Sequence, residues 1–176
     1  MNCLDIAIHT GINLRHDQAM AQHKSHSNDL RKNRHSSSGH IYLVTTTCLA
    51  RKPIFKNTEL GRIVASEIRR SDEARATRTY AYVVMPDHLH WLFQLRRHTL
   101  PTIIKNVKGR SARRIKTMRN RTGPIWQSGY HDRTLRTDES LEAVGNYVVA
   151  NPVRGGIVTD IEDYPLWNLM WRRWQA

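Results

Sequence analysis

The sequence predicts an α+β sandwich of the ferredoxin-like, split βαβ type, in which an antiparallel sheet carries helices on one face. Two observations lead to this fold class. Strand and helix patterns follow one another in the order strand, helix, strand, strand, helix, strand, with one more helix after them. Pro86 and Asp87 predict a turn between the two middle strands, because proline fixes φ and aspartate bonds its own backbone. The middle strands should therefore pair as a hairpin.

The first half of this fold should contain three strands and a helix. Residues 41–50 are dense in β-branched and aromatic residues, which is typical of a strand. A helix is predicted over 59–70, where apolar residues recur at helical spacing after a capping residue. Residues 79–85 and 88–95 are the expected hairpin strands on either side of the Pro-Asp turn.

The second half should contain two helices and a fourth strand. Apolar residues form one stripe over 102–118 with basic residues outside it, which predicts an amphipathic helix. Residues 125–135 follow a Gly-Pro turn and are expected to be a strand or an extended segment. The last helix should begin near the capping sequence 137–140 and stop at Asn151, because the residue before a proline avoids the helical region.

Length and composition predict one folded domain, 39–165, between two tails. A chain of 176 residues suffices for one domain with a buried core. Residues 1–38 have few periodic apolar positions and many His, Ser and Asn residues, so we expect a flexible basic tail. Residues 166–176 are expected to be a Trp-rich tail, whose indoles either stack on unpaired bases or cover the core.

Cysteine content and hydropathy predict a cytoplasmic protein that does not bind a membrane. Two cysteines are too few for a disulfide framework or a zinc ribbon. No stretch approaches the roughly 18 apolar residues of a membrane span, and the N-terminus lacks the pattern of a secretory signal.

The strong positive charge predicts a polyanionic partner. The 28 Lys and Arg residues against 15 Asp and Glu give a net charge of +13, and nucleic acid is the commonest partner of such a surface. No acidic residue occurs between His88 and His131, whereas ten basic residues do, and a merely solvated helix face usually mixes both signs. The residues predicted to contact DNA are Arg31, Lys32, Arg34, Lys105, Lys108, Arg110, Arg113, Arg114 and Arg133.

Two histidines stand one residue apart on the third predicted strand. His88 and His90 share one face of this strand because side chains alternate, whereas Leu89 and Trp91 face the other way. Two neighbouring imidazoles can bind one divalent cation. The spacing alone equally fits two solvated or hydrogen-bonded histidines, since two ligands make an incomplete metal site.

The last helix offers a third ligand. Tyr147 and Asn151 are four residues apart and therefore lie on one helix face. The amide oxygen of asparagine is a neutral ligand suited to Mg²⁺ or Mn²⁺. The other interpretation is that Asn151 only ends the helix and that Tyr147 is a core residue. Tyr130, in the extended segment beside His131, is the rival candidate nucleophile.

Five blocks of the sequence carry a family resemblance. They are DLRKNRHSSSGHIYLVTTT, YVVMPDHLHWLF, VKGRSARRI, WQSGYHDRTLRTDESL and YVVANPVRGGIV, and the resemblance that rests on them runs from about Asp29 to Trp171. Together they resemble the HUH family of tyrosine single-strand transposases, and most closely its REP-associated members. Asn33 stands where glycine is expected in this family.

The resemblance implies an HUH endonuclease fold and a metal-dependent enzyme that cleaves and rejoins single-stranded DNA beside REP-type hairpins. A 5′-phosphotyrosine intermediate is implied, with Tyr147 as nucleophile, His88, His90 and Asn151 as metal ligands, and Mg²⁺ or Mn²⁺ as cofactor. A monomer is favoured over a dimer. Two alternatives remain: a protein of the same fold that binds DNA hairpins without cleavage, and a hydrolase in which water attacks.

Overall fold

A five-stranded antiparallel sheet organises the chain. The computed structural model describes residues 37–120 and 122–171. The strands are β1 (Ile41–Thr47), β2 (Thr77–Val84), β3 (His88–Leu95), β4 (His131–Thr134) and β5 (Trp167–Leu169). Their order in the sheet is β4-β1-β3-β2-β5, and each neighbouring pair is antiparallel. The first four strands have the split βαβ arrangement, so the predicted fold class is confirmed.

Four α-helices accompany the sheet in the described residues. They are α1 (Thr58–Glu73), α2 (Leu100–Met118), α3 (Leu141–Val149) and α4 (Asn151–Arg154). Each of the first three begins after a side-chain cap: the Asn57, Thr99 and Ser140 side chains accept hydrogen bonds from backbone N–H groups of the first turn. These caps place the helix starts within a few residues of the positions that the sequence predicts.

One face of the sheet carries the two long helices. Leu89, Trp91 and Phe93 of β3 are fully buried on this face. The Trp91 indole donates a hydrogen bond to Thr79 Oγ1, and that hydroxyl in turn donates to the Asp72 carboxylate of α1. Helices α1 and α2 also contact each other, so they form one helical layer.

Helices α3 and α4 lie on the opposite face, which also carries the two histidines. Gly145 of α3 lies against Leu169 of β5, and Leu169 pairs with Ala81 of β2. The sequence predicted helices on one face only. The apolar stripe of α3 was visible in the sequence, but a stripe does not reveal which side of a sheet it covers.

The predicted end of the last helix was wrong. Helix α3 ends at Val149, and Asn151 then begins α4 instead of ending the helical segment. Pro152 is tolerated there because it occupies the first turn of α4, where a backbone N–H has no partner within the helix. The chain therefore continues to Arg154 on the same face of the sheet.

The predicted C-terminal boundary at residue 165 was also wrong. Trp167 belongs to β5, and Leu166 beside it is buried, so this part of the predicted tail completes the sheet. The indole of Trp171 packs against Gly145 and so covers part of α3. Trp174 and the predicted N-terminal tail up to residue 36 lie outside the described residues. Within 37–120 and 122–171, no helix is both long and apolar enough to cross a membrane.

Candidate active site

The turn before β3 is held firmly by backbone hydrogen bonds. Cys48 N donates to Asp87 O at 2.7 Å, and Phe55 N donates to Pro86 O at 2.9 Å. Both donors belong to the segment after β1. The hairpin turn is therefore tied to the neighbouring strand, which fixes where β3 begins and which way His88 faces.

His88 and His90 lie side by side on one face of β3, as predicted. Their Nε2 atoms are 3.0 Å apart, and their rings are nearly perpendicular. The other ring nitrogens are engaged as well: His88 Nδ1 lies 2.5 Å from Asp87 Oδ1, and His90 Nδ1 lies 2.8 Å from Thr45 Oγ1. Thr45 is the cross-strand partner of His90 in β1.

These contacts fix which nitrogens can bind a cation. A carboxylate only accepts hydrogen bonds, so neutral His88 carries its proton on Nδ1 and presents an Nε2 lone pair. When His90 donates from Nδ1 to Thr45, its Nε2 is bare too, and two lone pairs face each other. Adjacent ligands of an octahedral ion with bonds of about 2.1 Å lie about 3.0 Å apart. The donor set and its spacing fit a divalent cation.

Burial and neighbouring charges set the protonation states of His90 and Asp87. Burial, with the charges of His88 and Arg154, lowers the pKa of His90 to about 3. Burial by itself would raise the pKa of Asp87, but the hydrogen bond and charge of His88 and the charge of Arg51 outweigh it and lower that pKa. His90 is therefore neutral and Asp87 ionised near pH 7.

The two imidazoles open onto a cavity of about 290 Å³. Its walls come from β1, the segment after it, β3 and α4. The lining residues are Thr45, Thr47, Arg51, Met85, His88, His90, Asn151, Arg154 and Gly155. Asn151 is 8% exposed, and its amide nitrogen donates to Val148 O at 2.8 Å. This bond leaves the amide oxygen of Asn151 as the group that can bind a cation.

Tyr147 lies one helical turn before Asn151, on α3. Its side chain is partly buried, and its hydroxyl accepts a hydrogen bond from Arg154 Nη2 at 2.9 Å. The Arg154 guanidinium also stacks on the phenol ring, with Cζ 3.9 Å from the ring centroid. The phenol is thus outside the hydrophobic core and linked, through Arg154, to the wall of the histidine cavity.

A metal site here would need the amide as a ligand. In the part of the chain that the structure describes, no group of three or more His, Cys, Asp and Glu side chains could hold a metal ion. The two imidazoles and the Asn151 amide are neutral donors, and water or phosphate oxygens can complete the coordination of Mg²⁺ or Mn²⁺.

Comparison with known proteins identifies the family. The family described as "Transposase IS200 like" matches residues 35–151, which include both histidines, Tyr147 and Asn151. The chain belongs to the IS200-like transposase family. The match ends at Asn151, so Arg154 and β5 lie beyond it.

Two proteins that are similar to this chain are themselves named REP-associated tyrosine transposases. A protein of Haemophilus influenzae named as a REP-associated tyrosine transposase is 29% identical over 98 residues, which is 49% of this chain and 56% of that protein. The chain thus matches about half the length of this relative. A solved REP-associated tyrosine transposase bound to a REP hairpin has 19% identity and a TM-score of 0.64, over 77% of this chain and 79% of the other. This likeness supports the fold.

Three of the predicted DNA contacts already have partners within the protein. Lys108 Nζ donates to the backbone oxygens of Gln127 and Gly129 at 2.7 and 2.5 Å. Arg114 pairs with Glu67 at 2.8 Å, and Arg133 donates to both carboxylate oxygens of Glu139 at 2.6 and 2.8 Å. These three basic residues therefore stabilise the fold through contacts within the protein.

The remaining predicted DNA contacts divide into two groups. Lys105, Arg110 and Arg113 are exposed on α2 and stay candidates for phosphate binding. Arg31, Lys32 and Arg34 lie outside the described residues. Tyr130, the rival candidate nucleophile, is partly buried and packs against the core.

Sequence reasoning missed three polar residues of this site. From the sequence, Asp87 was predicted only to form a turn and Thr45 only to belong to a strand. Arg154 was part of the segment YVVANPVRGGIV, but no role was predicted for it. Asp87 could have been found, because it directly precedes His88 and a carboxylate beside a ligating histidine is a common arrangement. The roles of Thr45 and Arg154 depend on strand pairing and on the α3–α4 junction.

Proposed function

We propose that this chain cleaves and rejoins single-stranded DNA next to REP-type hairpins, through a 5′-phosphotyrosine on Tyr147 and with bound Mg²⁺ or Mn²⁺. One observation carries the proposal above all. His88, His90 and Asn151 line a single cavity, and Tyr147 stands one helical turn from Asn151 with its hydroxyl held by Arg154, another residue of the cavity wall.

Each residue has a defined task in the proposed reaction. His88, His90 and Asn151 would hold the divalent cation, which when bound polarises the non-bridging phosphate oxygens. Asp87 and Thr45 orient the two imidazoles through their Nδ1 atoms. Neutral ligands suit this task, because carboxylates would cancel most of the charge of the cation.

The bond changes explain how cleavage and joining can share one site. The Tyr147 oxygen attacks the phosphorus, a bond forms between them, and the bond to the 3′ oxygen of the neighbouring nucleotide breaks. The phenol gives up its proton and the leaving oxygen takes one up. The phosphotyrosine keeps the energy of the broken bond, so a 3′ hydroxyl can attack it in reverse without ATP.

The hairpin substrate rests on charge and on similarity. The net charge of +13 and the exposed α2 residues Lys105, Arg110 and Arg113 supply phosphate contacts. A protein with a similar fold is described as bound to a REP hairpin, which makes such hairpins the first substrates to test.

The proposal is tested by covalent capture. The protein is incubated with Mn²⁺ and a library of labelled oligonucleotides, in which one hairpin is flanked by randomised single strands. Adducts that survive denaturation are isolated on a gel, and their DNA is sequenced. We expect an adduct that needs metal, disappears in Tyr147→Phe and persists in Tyr130→Phe.

Two other outcomes would contradict the proposal in different ways. Retarded migration on a native gel without cleavage would support a protein that only binds DNA hairpins. Cleavage that survives Tyr147→Phe and leaves no adduct would support attack by water. His40→Ala, at an exposed histidine away from the cavity, is the matched control for His88→Ala and His90→Ala.

A further inference from the structure

Arg154 contacts the side chain of Tyr147 in two different ways. Its Nη2 atom donates to the Tyr147 hydroxyl at 2.9 Å, and its Cζ atom lies 3.9 Å from the centre of the phenol ring. The guanidinium therefore meets both the face and the oxygen of the same side chain. It lies beyond residue 151, where the match to the IS200-like family ends.

We propose that Arg154 is a positioning residue for Tyr147, which fixes the phenol beside the histidine cavity and supports the negative charge that develops on its oxygen during attack. This inference rests on the proposed function, because it takes Tyr147 as the nucleophile. It goes further by assigning the group that prepares this nucleophile.

The chemistry of the guanidinium suits this role. Arginine stays charged at any relevant pH, and its planar group can stack on an aromatic ring while its N–H groups donate at the edge. A hydrogen bond from a cation to the phenol oxygen strengthens as that oxygen becomes more negative. Arg154 would therefore stabilise the transition state more than the resting protein.

The position of Arg154 links the nucleophile to the cavity. It lines the cavity together with His90 and Asn151, and its charge is among those that lower the pKa of His90. Arg154 is thus the residue that contacts the phenol oxygen of Tyr147 and also lines the histidine cavity.

A purely structural role for Arg154 is the rival explanation. Arg154 Nη1 also lies 3.4 Å from Tyr147 O, near the C-terminal end of α3, where a cation favourably meets the helix dipole. In that case its removal would lower stability and leave the reaction of folded protein unchanged. The test therefore needs readouts that stability alone does not move.

The first measurement separates chemistry from binding. Two quantities are compared for wild type, Arg154→Lys and Arg154→Met. They are the single-turnover rate of adduct formation at a saturating concentration of the oligonucleotide identified by covalent capture, and the Kd of that DNA. We expect the rate to fall about 100-fold in Arg154→Met and about 10-fold in Arg154→Lys, with Kd changed less than about threefold. Arg62→Met, at an exposed arginine of α1, should react like wild type.

Chemical rescue is the second measurement. Millimolar guanidinium or methylguanidinium, which is too dilute to denature the protein, should restore part of the rate of Arg154→Ala and leave wild type unchanged. A structural defect would not be repaired by a small diffusing cation. Rescue therefore supports a role at the phenol oxygen.

A third measurement uses the protein without metal or DNA. The ring proton resonances of Tyr147, assigned by comparison with Tyr147→Phe, should shift in Arg154→Met because the stacked cation is lost. Unshifted resonances, or a folded Arg154→Met with the wild-type adduct rate, would overturn the inference while the proposed function stands. If wild type forms no adduct, the proposed function itself fails.

Discussion

Asp87 Oδ1 lies 2.5 Å from His88 Nδ1, while the other carboxylate oxygen of Asp87 pairs with Arg51 at 3.1 Å. The carboxylate thus holds the imidazole in one orientation and one tautomer. In the proposed metal site both Nε2 atoms of the histidine pair must face the cavity to share a cation, and Asp87 would hold His88 in that orientation.

Replacing Asp87 should weaken metal binding without removing a ligand. We expect Asp87→Ala to bind Mn²⁺ about 10- to 100-fold more weakly than wild type, as measured by isothermal titration calorimetry. Asp138→Ala, at an aspartate whose side chain is 74% exposed, is the control. Equal Mn²⁺ affinity in Asp87→Ala and wild type would show that the histidine ring needs no such support.

Removal of two neighbouring arginines of α2 should affect two different properties, the stability of the fold and the affinity for DNA. Arg113 is exposed, whereas Arg114 pairs with Glu67, which is only 3% exposed. Arg114→Ala strands that carboxylate and should lower the free energy of unfolding by about 1–3 kcal/mol in urea titrations. The loss should be modest because the Arg114 guanidinium is half exposed, so solvent weakens this ion pair.

Arg113→Ala should leave the free energy of unfolding nearly unchanged and instead weaken DNA binding. Fluorescence anisotropy with a labelled hairpin oligonucleotide should give a salt dependence whose slope, in log Kd against log salt, is smaller by about one. The proposed division between structural and DNA-binding arginines fails if Arg113→Ala is the less stable variant and binds DNA normally.

Two glycines give a matched test of how the C-terminal segment packs. A Cβ at Gly145 would lie 2.5 Å from Trp171 Cη2, whereas a Cβ at Gly109, on the exposed side of α2, meets no atom within 4 Å. Gly145→Ala should therefore destabilise the protein by about 1–3 kcal/mol through overpacking. Gly109→Ala should stabilise it by about 0.5–1 kcal/mol, because alanine favours helix.

Urea titrations and Trp fluorescence measure both changes. The indole of Trp171 should become more accessible to acrylamide quenching in Gly145→Ala only. Equal stability of the two variants would mean that Trp171 is not packed on α3, and its proposed role in covering the domain would be lost.

Tyr164 should make stability depend on pH in alkaline solution. Its hydroxyl donates to Val84 O at 2.7 Å, and burial raises the pKa of Tyr164 to about 12. Below pH 10 the phenol is protonated in both states and its contribution is complete. Between pH 10 and 12 the unfolded chain loses this proton first, so the free energy of unfolding falls by at most about 1.4 kcal/mol per pH unit.

Tyr164→Phe isolates this effect from the titration of other groups. The variant should lose about 1 kcal/mol at pH 8, because Val84 O loses its donor. The difference between wild type and variant should then shrink and change sign as the pH rises from 10 to 12. A constant difference across this range would contradict the assigned pKa.

Local sequence patterns were enough to predict that His88 and His90 share one face of a strand. The hairpin strand 88–95 was predicted with its observed bounds, because a proline turn and strict alternation fix where it starts and which side chains share a face. Helical spacing predicted that Tyr147 and Asn151 lie close together, and the Asn151 amide does lie 3.4 Å from Tyr147 O, although Asn151 begins α4 and is not part of α3. These relations span only a few residues, so each is contained in the sequence.

Other features depend on contacts between distant residues. Arg114 meets Glu67, which is 47 positions away, and Lys108 reaches two backbone carbonyls around residue 128. A run of basic residues therefore looked like a uniform DNA-binding face although part of it stabilises the fold. Thr45 reaches His90 only because β1 pairs with β3. Helix α4 was missed because the proline rule was applied without its exception for the first helical turn.

Mass spectrometry of the covalent adduct tests the central claim most directly. Trypsin should release Tyr147 in the peptide 137–154 and Tyr130 in the peptide 122–133, so the two candidate nucleophiles separate by mass. After nuclease trimming of the captured DNA, we predict a nucleotide attached through its 5′ phosphate to Tyr147. A nucleotide on the peptide 122–133, or DNA cleavage that leaves no modified peptide, would contradict the assignment of Tyr147 as the nucleophile.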